Sequence, residues 1–427
     1  MIRNMHVLHY KCLLKHSLNL NALTCPYGRN SNLLKMFLHD KPAIILGIES
    51  SCDDTGCGIV DSTGAVLGEA INSQHHTHLN YGGIVPTIAR SLHVNNITKV
   101  CEDALRSANL KLRDVSAVAT TTKPGLHLSL TVGIKFGKHL AKIAKKPFIP
   151  IHHMEAHALT VRMKEKVDFP YLVLLVSGGH CLLAIVENTN KFYLLGTTLD
   201  NPPGETFDKI ARRLKLKNIP EFSTLSGGLA IETAARKASD INQFEFHPSM
   251  YRYCDCNFSF AGLYTKCTTY IEKEEKKHGI IADMIIPDAY NLCAAFQLAA
   301  ITHICRKTQR AMKFIDEMSL FPQEKRTLVV SGGMACNDFL AKALNIVSTE
   351  SGFNFVRTPP ELCTDNGIMI AWNGMEKWMT DTDIIENESD IDKVALAEKA
   401  PLGENWVDKV TAANIKCKWV KIREKLI

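Results

Sequence analysis

The sequence predicts an α/β fold built from two similar lobes. Strand-like apolar runs alternate along the chain with segments of helical periodicity. Two strand-turn-strand units, with turns near residues 50 and 178, resemble each other. The 427 residues, of which 46% are hydrophobic, are enough for more than one buried core. Sequence identity between the halves is too slight to establish a duplication by itself.

Each predicted element follows from its apolar spacing. Short apolar runs bounded by polar or glycine-rich turns predict strands, and apolar residues three or four positions apart predict helices. The first strand pair is joined by the polar turn 49–55, and the second pair by the turn 177–180. In order, the predicted elements are strands 44–48 and 56–60, a helix over 88–108, a strand 116–121, a helix 132–144, a strand 148–151, and strands 171–176 and 182–187.

The segment 1–39 has five Lys or Arg residues and no Asp or Glu, which is typical of a mitochondrial transit peptide. A disordered tail of this composition by chance is the alternative. Lys11 and Lys15 interrupt the apolar run that a secretory signal requires. These charges account for five of the six net positive charges, so the remaining chain carries only +1. Any nucleic-acid contact is therefore expected from local basic patches.

Composition also limits the compartment. No apolar stretch approaches the ~20 residues needed to cross a bilayer, so no membrane association is expected. The 14 cysteines are scattered and form no CxxC pair, which favours buried thiols in a reducing compartment. Together with the N-terminal segment, this predicts a location in the mitochondrial matrix.

His153 and His157 stand four residues apart, a spacing that places both imidazoles on one face of a helix. Such a pair can hold a metal ion, although an isolated HxxxH is more often an ordinary pair of histidines. Much later in the chain, Asp365 offers a carboxylate for the same ion. Two His and one Asp suit iron, zinc or manganese.

Three Ser-Gly-Gly runs, at 177–179, 226–228 and 331–333, can bring backbone N–H groups close to a phosphate. For a single copy, a tight turn that requires positive φ is the more usual explanation. Copies at two predicted strand ends favour a nucleotide cleft. The sequence contains no GxxxxGK[ST] or GxGxxG run, so neither a P-loop nor a Rossmann site is indicated.

These features belong to eight motifs between about Ile44 and Trp372 that resemble the tRNA threonylcarbamoyladenosine transferases, formerly described as O-sialoglycoprotein endopeptidases. The motifs are residues 47–55, 81–86, 153–157, 176–180, 204–209, 258–263, 331–337 and 363–367. The resemblance implies the actin/Hsp70/sugar-kinase superfold, with a nucleotide and metal cleft between two duplicated lobes. The expected division is a transit peptide over 1–39, a first lobe over 40–157 completed by 385–427, and a second lobe over 158–384 with a helical insertion.

The resemblance also implies the site residues. His153, His157 and Asp365 would be catalytic and would hold one divalent metal ion per subunit, with iron or zinc expected. The residues that would bind substrate are Ser177, Gly178, Gly179, His180 and Cys181 at the phosphate end, and Asp208, Gly228 and Asn337 near the ribose and base.

The implied reaction transfers the threonylcarbamoyl group of threonylcarbamoyl-AMP to the exocyclic amine of the adenosine 3′ to the anticodon. Its acceptors would be mitochondrial tRNAs that read ANN codons. The implied partners are tRNA, a separate synthase that supplies threonylcarbamoyl-AMP, and a second copy of the chain in a homodimer.

An exocyclic aromatic amine is a poor nucleophile, so this transfer depends on a polarised carbonyl and a stabilised leaving phosphate more than on a strong base. Cys52, in the first turn, has no identifiable partner base, which favours a structural or substrate-lining thiol. Two alternatives are a metal-dependent glycoprotein endopeptidase, although the chain lacks HExxH, and a nucleotide-binding scaffold without chemistry.

Four positions depart from the family pattern, namely Thr87, the Arg90-Ser91 order, Lys123 and Asn201. They are expected in loops and on a surface that faces tRNA or a protein partner. The departures therefore bear on partner choice more than on chemistry.

Overall fold

The structure is a computed structural model that describes residues 42–81 and 83–426. The predicted transit peptide, 1–39, lies outside the described residues and stays a prediction. Within the described ranges, no helix has the length and apolar character needed to span a membrane.

The first sheet has five strands in the order β3-β2-β1-β4-β5. Strands β1 to β3 form an antiparallel meander, and β4 and β5 are added parallel to β1 on its other side. Its strands are β1 (Ile44–Glu49), β2 (Asp54–Asp61), β3 (Val66–Ser73), β4 (Ala117–Lys123) and β5 (Phe148–His152).

The second sheet repeats this arrangement with the order β10-β9-β6-β7-β8-β11. Strands β6, β7 and β8 form an antiparallel meander, and β9 and β10 run parallel to β6. Strands β6 to β10 therefore match β1 to β5 one by one, which confirms the predicted duplication. The strands are β6 (Tyr171–Val176), β7 (Cys181–Asn188), β8 (Lys191–Thr197), β9 (Thr327–Ser331), β10 (Asn354–Arg357) and β11 (Glu404–Asn405).

Helices cover both sheets. They are α1 (His75–Asn80), α2 (Pro86–Ser107), α3 (His127–Ala144), α4 (His153–Leu159), α5 (Pro203–Arg213), α6 (Gly227–Ala235), α7 (Ala261–His278), α8 (Ala289–Glu317), α9 (Asp338–Glu350), α10 (Gly367–Thr380), α11 (Glu388–Lys393), α12 (Val407–Ala412) and α13 (Ile422–Leu426). Single 3₁₀ turns lie at Leu112–Asp114, Thr160–Met163, Leu216–Asn218, Pro220–Phe222, Gln323–Lys325, Gly333–Cys336 and Pro360–Leu362. Helices α5 to α8 lie between β8 and β9.

The C-terminal part of the chain packs differently from the expected lobe division. Helix α10, expected in the second lobe, packs on β1 and β2 because its first turn fits against their glycines. Ile385 pairs with Phe148 of β5, whereas β11 pairs with β8 and α12 packs against the same strand. We therefore propose that residues 367–401 complete the first lobe and that the chain from 402 onward belongs to the second.

The positions that depart from the family pattern are mostly not in loops. Thr87, Arg90 and Ser91 lie in α2, and Lys123 is the last residue of β4. Asn201 lies in the turn before α5, as expected for a loop residue. Only Thr87 precedes the predicted helix over 88–108, although Pro86 favours a helix start. Arg90 and Ser91 lie within that predicted helix, so the expectation of loops was inconsistent with the helical periodicity of the sequence.

Candidate functional site

The histidine pair lies on α4, which begins directly after β5. His152 caps this helix, since its ring Nδ1 accepts a hydrogen bond from the Met154 amide (3.2 Å). His153 and His157 are 5% and 3% exposed, and their ring centroids are 4.7 Å apart. The predicted helical face is therefore present, and it is buried in the protein.

Asp365 contacts this pair, although it lies 208 residues after His157 in the sequence. Its Oδ1 lies 3.0 Å from His157 Nε2 and 3.4 Å from His153 Nε2. The three side chains each offer a ligand atom within 4.8 Å of the others. Two imidazole nitrogens and one carboxylate leave coordination positions free for substrate oxygens.

Backbone-to-backbone packing brings Asp365 to the histidines. A Cβ on Gly47 of β1 would lie 2.2 Å from the Ala371 amide nitrogen, and one on Gly58 of β2 would lie 2.4 Å from that of Ile368. A Cβ on Gly367 would lie 2.2 Å from the Gly58 nitrogen. Glycines on both surfaces therefore let the first turn of α10 rest on the sheet, two residues beyond Asp365.

Glu49, at the end of β1, supports His153 from the opposite side. It is fully buried, and its Oε2 lies 3.3 Å from His153 Nδ1. Thr121 Oγ1 donates to Oε2 and the Ser51 amide donates to Oε1, both at 2.5 Å. A carboxylate behind a histidine is a common way to orient a metal ligand. Glu49 was not among the predicted site residues, although a lone acid ending an apolar strand was a usable signal.

Electrostatics within the cluster favour a cation. Burial opposes protonation of His153, but the carboxylates of Asp365 and Glu49 raise the pKa of its imidazole to about 10. Burial likewise opposes ionisation of Asp365, but His153 and His157 hold its pKa well below the usual range. Two neighbouring carboxylates thus need positive charge between them, and a divalent cation meets that need. The donor set therefore fits a metal ion. Among the described residues, His157 Nδ1 is buried without a hydrogen-bond partner.

Replacing Glu49 with glutamine tests its supporting role. Glu49→Gln keeps an oxygen for the Ser51 amide but removes the charge behind His153, so metal affinity is expected to fall about 10-fold to 100-fold. The measurement is chelator competition for bound metal, with the melting temperature recorded in parallel. Glu102→Gln, at an exposed position on α2, is the matched control. Equal metal affinity of Glu49→Gln and wild type would exclude the supporting role.

The predicted glycine turns lie at neighbouring strand ends of the second sheet. The first follows β6 and the second follows β9, and these strands are parallel neighbours. In the first turn, Ser177 Oγ accepts from the amides of Gly179 (3.3 Å) and His180 (3.1 Å). A Cβ on Gly178 or Gly179 would meet nothing within 4 Å, so packing does not require these two glycines.

The second turn differs from the first. Gly332 has φ +96°, and a Cβ there would lie 2.6 Å from the Val176 carbonyl oxygen. The tight-turn explanation therefore applies to Gly332, whereas Gly333 faces open space. Packing explains why residue 332 is a glycine. It does not explain Gly178, Gly179 or Gly333, which leaves close approach to a ligand as a reason for those glycines.

His180 links the first glycine turn to the candidate metal ligands. Its ring centroid lies 6.5 Å from that of His153. Burial, followed by the nearby His153, lowers the pKa of His180 to about 4, so its ring is neutral near pH 7. The next residue, Cys181, begins β7 and is buried. Of the predicted phosphate-end residues, His180 is thus the one whose ring faces the metal ligands.

Of the residues predicted near the nucleoside, Gly228 and Asn337 lie at helix starts, and Asp208 lies in the middle of α5. Asp208 accepts a hydrogen bond from the Gly228 amide (3.1 Å). Asn337 caps α9 by accepting from the Leu340 amide (2.8 Å), and its Nδ2 donates to Gln297 Oε1 (3.3 Å). The structure therefore pairs Asp208 with Gly228, while the side chain of Asn337 bonds elsewhere within the same lobe.

A cavity of about 300 Å³ lies beside the start of α9. It is lined by Glu232, Arg236, Gln297, Asp338, Phe339 and Lys342. The lining was not predicted from the sequence, because its residues come from three separate helices and form no local motif.

Cys52 lies in the first turn, close to the cluster. Burial, and then the negative charge of Asp53 and Asp365, raises the pKa of its thiol well above the usual value. A thiol with a raised pKa is a weak nucleophile. Its environment agrees with the interpretation of Cys52 as a structural or substrate-lining thiol.

Comparison with known proteins decides the family. Residues 65–372 match the family of tRNA N6-adenosine threonylcarbamoyltransferases. The chain belongs to this family. It is 46% identical over 383 residues to the mitochondrial tRNA N6-adenosine threonylcarbamoyltransferase of Danio rerio, covering 90% of this chain and 94% of that protein. It is also 46% identical over 387 residues to the mitochondrial enzyme of Homo sapiens, covering 91% and 92%.

A solved structure supports the fold of this threonylcarbamoyltransferase family member. The crystal structure of T. kodakarensis HypF matches with a TM-score of 0.50 at 11% identity, covering 79% of this chain and 48% of that chain. With the duplicated sheets, this confirms the predicted actin/Hsp70/sugar-kinase superfold. The endopeptidase alternative finds no support in the family match.

Proposed function

We propose that this chain transfers the threonylcarbamoyl group of threonylcarbamoyl-AMP to the exocyclic amine of the adenosine 3′ to the anticodon. The acceptors would be mitochondrial tRNAs that read ANN codons. The observation that carries the proposal is the convergence of Asp365 on His153 and His157, together with a glycine turn whose Cβ positions face open space. The family membership supplies the reaction class.

The three ligands would hold one divalent metal, which we propose to be iron or zinc because the donors are two nitrogens and one oxygen. When bound, such an ion supplies Lewis-acid polarisation of a carbonyl or phosphoryl oxygen. The chain's own groups would position the substrate. The turn of Gly178 and Gly179 would receive the AMP phosphate, and His180 would stand between that phosphate and the metal ligands.

In the proposed reaction, the N6 nitrogen of adenosine attacks the carbonyl carbon of the mixed anhydride. A C–N bond forms, the C–O bond to the phosphate breaks, and AMP leaves with the electron pair. The proton lost from N6 is released to water. Preorganised backbone amides at the phosphate would stabilise the leaving group without reorganising.

The nucleoside end of the adenylate would lie near Asp208, Gly228 and Asn337, with the cavity beside Gln297 as space for it. Asp208→Ala removes one charge-assisted acceptor, so adenylate affinity is expected to weaken by about 1 to 3 kcal/mol. KM should rise more than kcat falls. Calorimetry with a non-reactive adenylate and steady-state kinetics are the measurements, and Asp283→Ala, at an exposed position, is the control. An unchanged adenylate affinity would remove Asp208 from the substrate site.

A transfer assay tests the proposed function directly. Purified protein, metal, synthase-generated threonylcarbamoyl-AMP and a mitochondrial tRNA transcript are combined, and the digested tRNA is analysed by nucleoside mass spectrometry. Threonylcarbamoyladenosine should appear only when protein and adenylate are both present. Adenylate binding without any modified nucleoside, under every metal tested, would favour the scaffold alternative.

We propose that the protein acts in the mitochondrial matrix, which the names of its relatives and the acid-free segment 1–39 support. Deleting residues 1–39 is expected to leave transfer activity in vitro but to keep the protein out of mitochondria. Fractionation of cells that express the full and shortened chains measures this. Import of the shortened chain at the normal level would refute the transit-peptide assignment.

The proposed partners are tRNA, a separate synthase that supplies the labile adenylate, and a second copy of the chain. The near-neutral body makes local patches the basis of any tRNA contact. Light scattering of the purified chain distinguishes a homodimer from a monomer.

A further inference from the structure

Two cysteine thiols meet beside the candidate site, and the proposed reaction uses neither. Cys336 ends the 3₁₀ turn Gly333–Cys336 after β9, and Cys363 follows the 3₁₀ turn Pro360–Leu362 after β10. Strands β9 and β10 are parallel neighbours, so both turns lie at the same edge of the second sheet. The side chains of the two cysteines interact with each other.

One backbone carbonyl joins the two cysteines. The Pro360 carbonyl oxygen accepts from Cys336 Sγ (3.7 Å) and from the Cys363 amide (3.2 Å). Cys363 Sγ donates to the Thr358 carbonyl oxygen (3.2 Å). Both thiols therefore lie against backbone carbonyls of the same short segment, 358–360.

The two thiols differ in solvent exposure. Cys363 is fully buried, whereas Cys336 is partly exposed. Interaction with the Cys363 side chain lowers the pKa of Cys336 to about 7. A lowered pKa raises the thiolate fraction of Cys336 near neutral pH. An exposed thiolate beside a buried thiol is the arrangement of an attacking cysteine and its resolving cysteine. By contrast, Cys57 and Cys101 are also in contact, but both are buried in the first lobe.

We propose that Cys336 and Cys363 form a reversible disulfide when the protein meets a peroxide. The Cys336 thiolate attacks one oxygen of hydrogen peroxide, giving a sulfenic acid and hydroxide. The Cys363 sulfur then attacks the Cys336 sulfur, the S–O bond breaks, and water leaves with the Cys363 proton. In total, two thiols and one hydrogen peroxide give one disulfide and two waters, and a dithiol reductant reverses the step.

The disulfide would act on the metal ligands, and this part of the inference rests on the proposed function. Asp365 lies two residues beyond Cys363, and Asn366 caps α10 by accepting from the Met369 amide (2.8 Å). Helix α10 packs tightly on the glycines of the first sheet. If Cys363 moves toward Cys336 to form the disulfide, α10 therefore cannot move with it. The displacement would fall on Thr364 and Asp365, and it would loosen the contact of Asp365 with both histidines.

Peptide mapping tests the bond itself. Trypsin places the two cysteines in separate peptides, 327–342 and 358–377, and each contains no other cysteine. Reduced protein is treated with hydrogen peroxide, blocked with an alkylating reagent, digested and analysed by mass spectrometry without reduction. We expect the two peptides to be cross-linked in wild type and in Cys254→Ser, a control at another partly exposed cysteine. The cross-link should be lost in Cys336→Ser and in Cys363→Ser, and dithiothreitol should remove it from wild type.

Activity provides the second readout. Peroxide should lower the transfer rate of wild type about tenfold, with recovery on reduction, and should leave the rate of Cys336→Ser unchanged. Separate alkylation of both cysteines after peroxide, without a cross-linked peptide, would overturn the disulfide. A cross-link that leaves the rate unchanged would overturn its effect on Asp365. If reduced protein shows no transfer at all, the proposed function fails, while the peptide map still decides whether the bond forms.

Discussion

His157→Ala and Asp365→Ala are each expected to lower kcat for threonylcarbamoyl transfer about 100-fold and to lower metal content in parallel. Each variant removes one of three ligands, and Asp365 Oδ1 lies between the two imidazoles at 3.0 and 3.4 Å. KM for the adenylate should change less, because the proposed phosphate contacts come from the glycine turn. Since the ligands act as a unit, the double variant should be little worse than either single one.

The measurements are steady-state kinetics, metal content by mass spectrometry and the circular dichroism spectrum. His139→Ala, at an exposed histidine of α3, is the matched control and should retain both metal and rate. His153→Ala is a less clean test, because it also leaves the buried Glu49 without its partner. Full metal content in folded His157→Ala and Asp365→Ala would place the ion elsewhere.

Gly47→Ala should destabilise the protein by about 3 kcal/mol, the upper part of the range for overpacked sites. The new Cβ would lie 2.2 Å from the Ala371 nitrogen and 2.5 Å from the Gly367 carbonyl oxygen. Both are backbone atoms, so no side-chain rotation relieves the clash. Helix α10 must move from the sheet, and Asp365 would move with it.

Urea unfolding with and without added metal measures this effect. Metal affinity of Gly47→Ala should fall together with stability, since the same packing positions Asp365. Gly262→Ala is the matched control, because a Cβ in that first turn of α7 would meet nothing within 4 Å. Alanine there should leave stability unchanged or raise it slightly. Equal stability of Gly47→Ala and wild type would show that the close approach does not hold α10 in place.

Local patterns predicted much of the fold. Buried runs such as 171–176 became strands with the predicted bounds, and His153 and His157 share a helix face as their spacing required. Strand β3 was missed because Val66–Ser73 alternates exposed and half-buried positions without a clear apolar face. The lobe boundaries near the C-terminus could not be predicted, because the position of α10 depends on its packing against glycines more than 300 residues earlier in the chain.

The site was predicted only in part for a similar reason. The contact of Asp365 with the histidines depends on tertiary packing, and it was expected through the family resemblance. Glu49 was missed because its role exists only once β1, β4 and α4 come together. The shared hydrogen bonding of Cys336 and Cys363 likewise requires two strand ends to be neighbours, which no local spacing reveals.

The most direct test of the proposed transfer is nucleoside mass spectrometry of mitochondrial tRNAs from cells with and without this protein. Loss of the protein should remove threonylcarbamoyladenosine from tRNAs that read ANN codons. Re-expression of wild type should restore it, whereas His157→Ala should not, and cytosolic tRNAs should keep the modification throughout. An unchanged level in mitochondrial tRNAs without the protein, or equal restoration by His157→Ala, would contradict the proposed function.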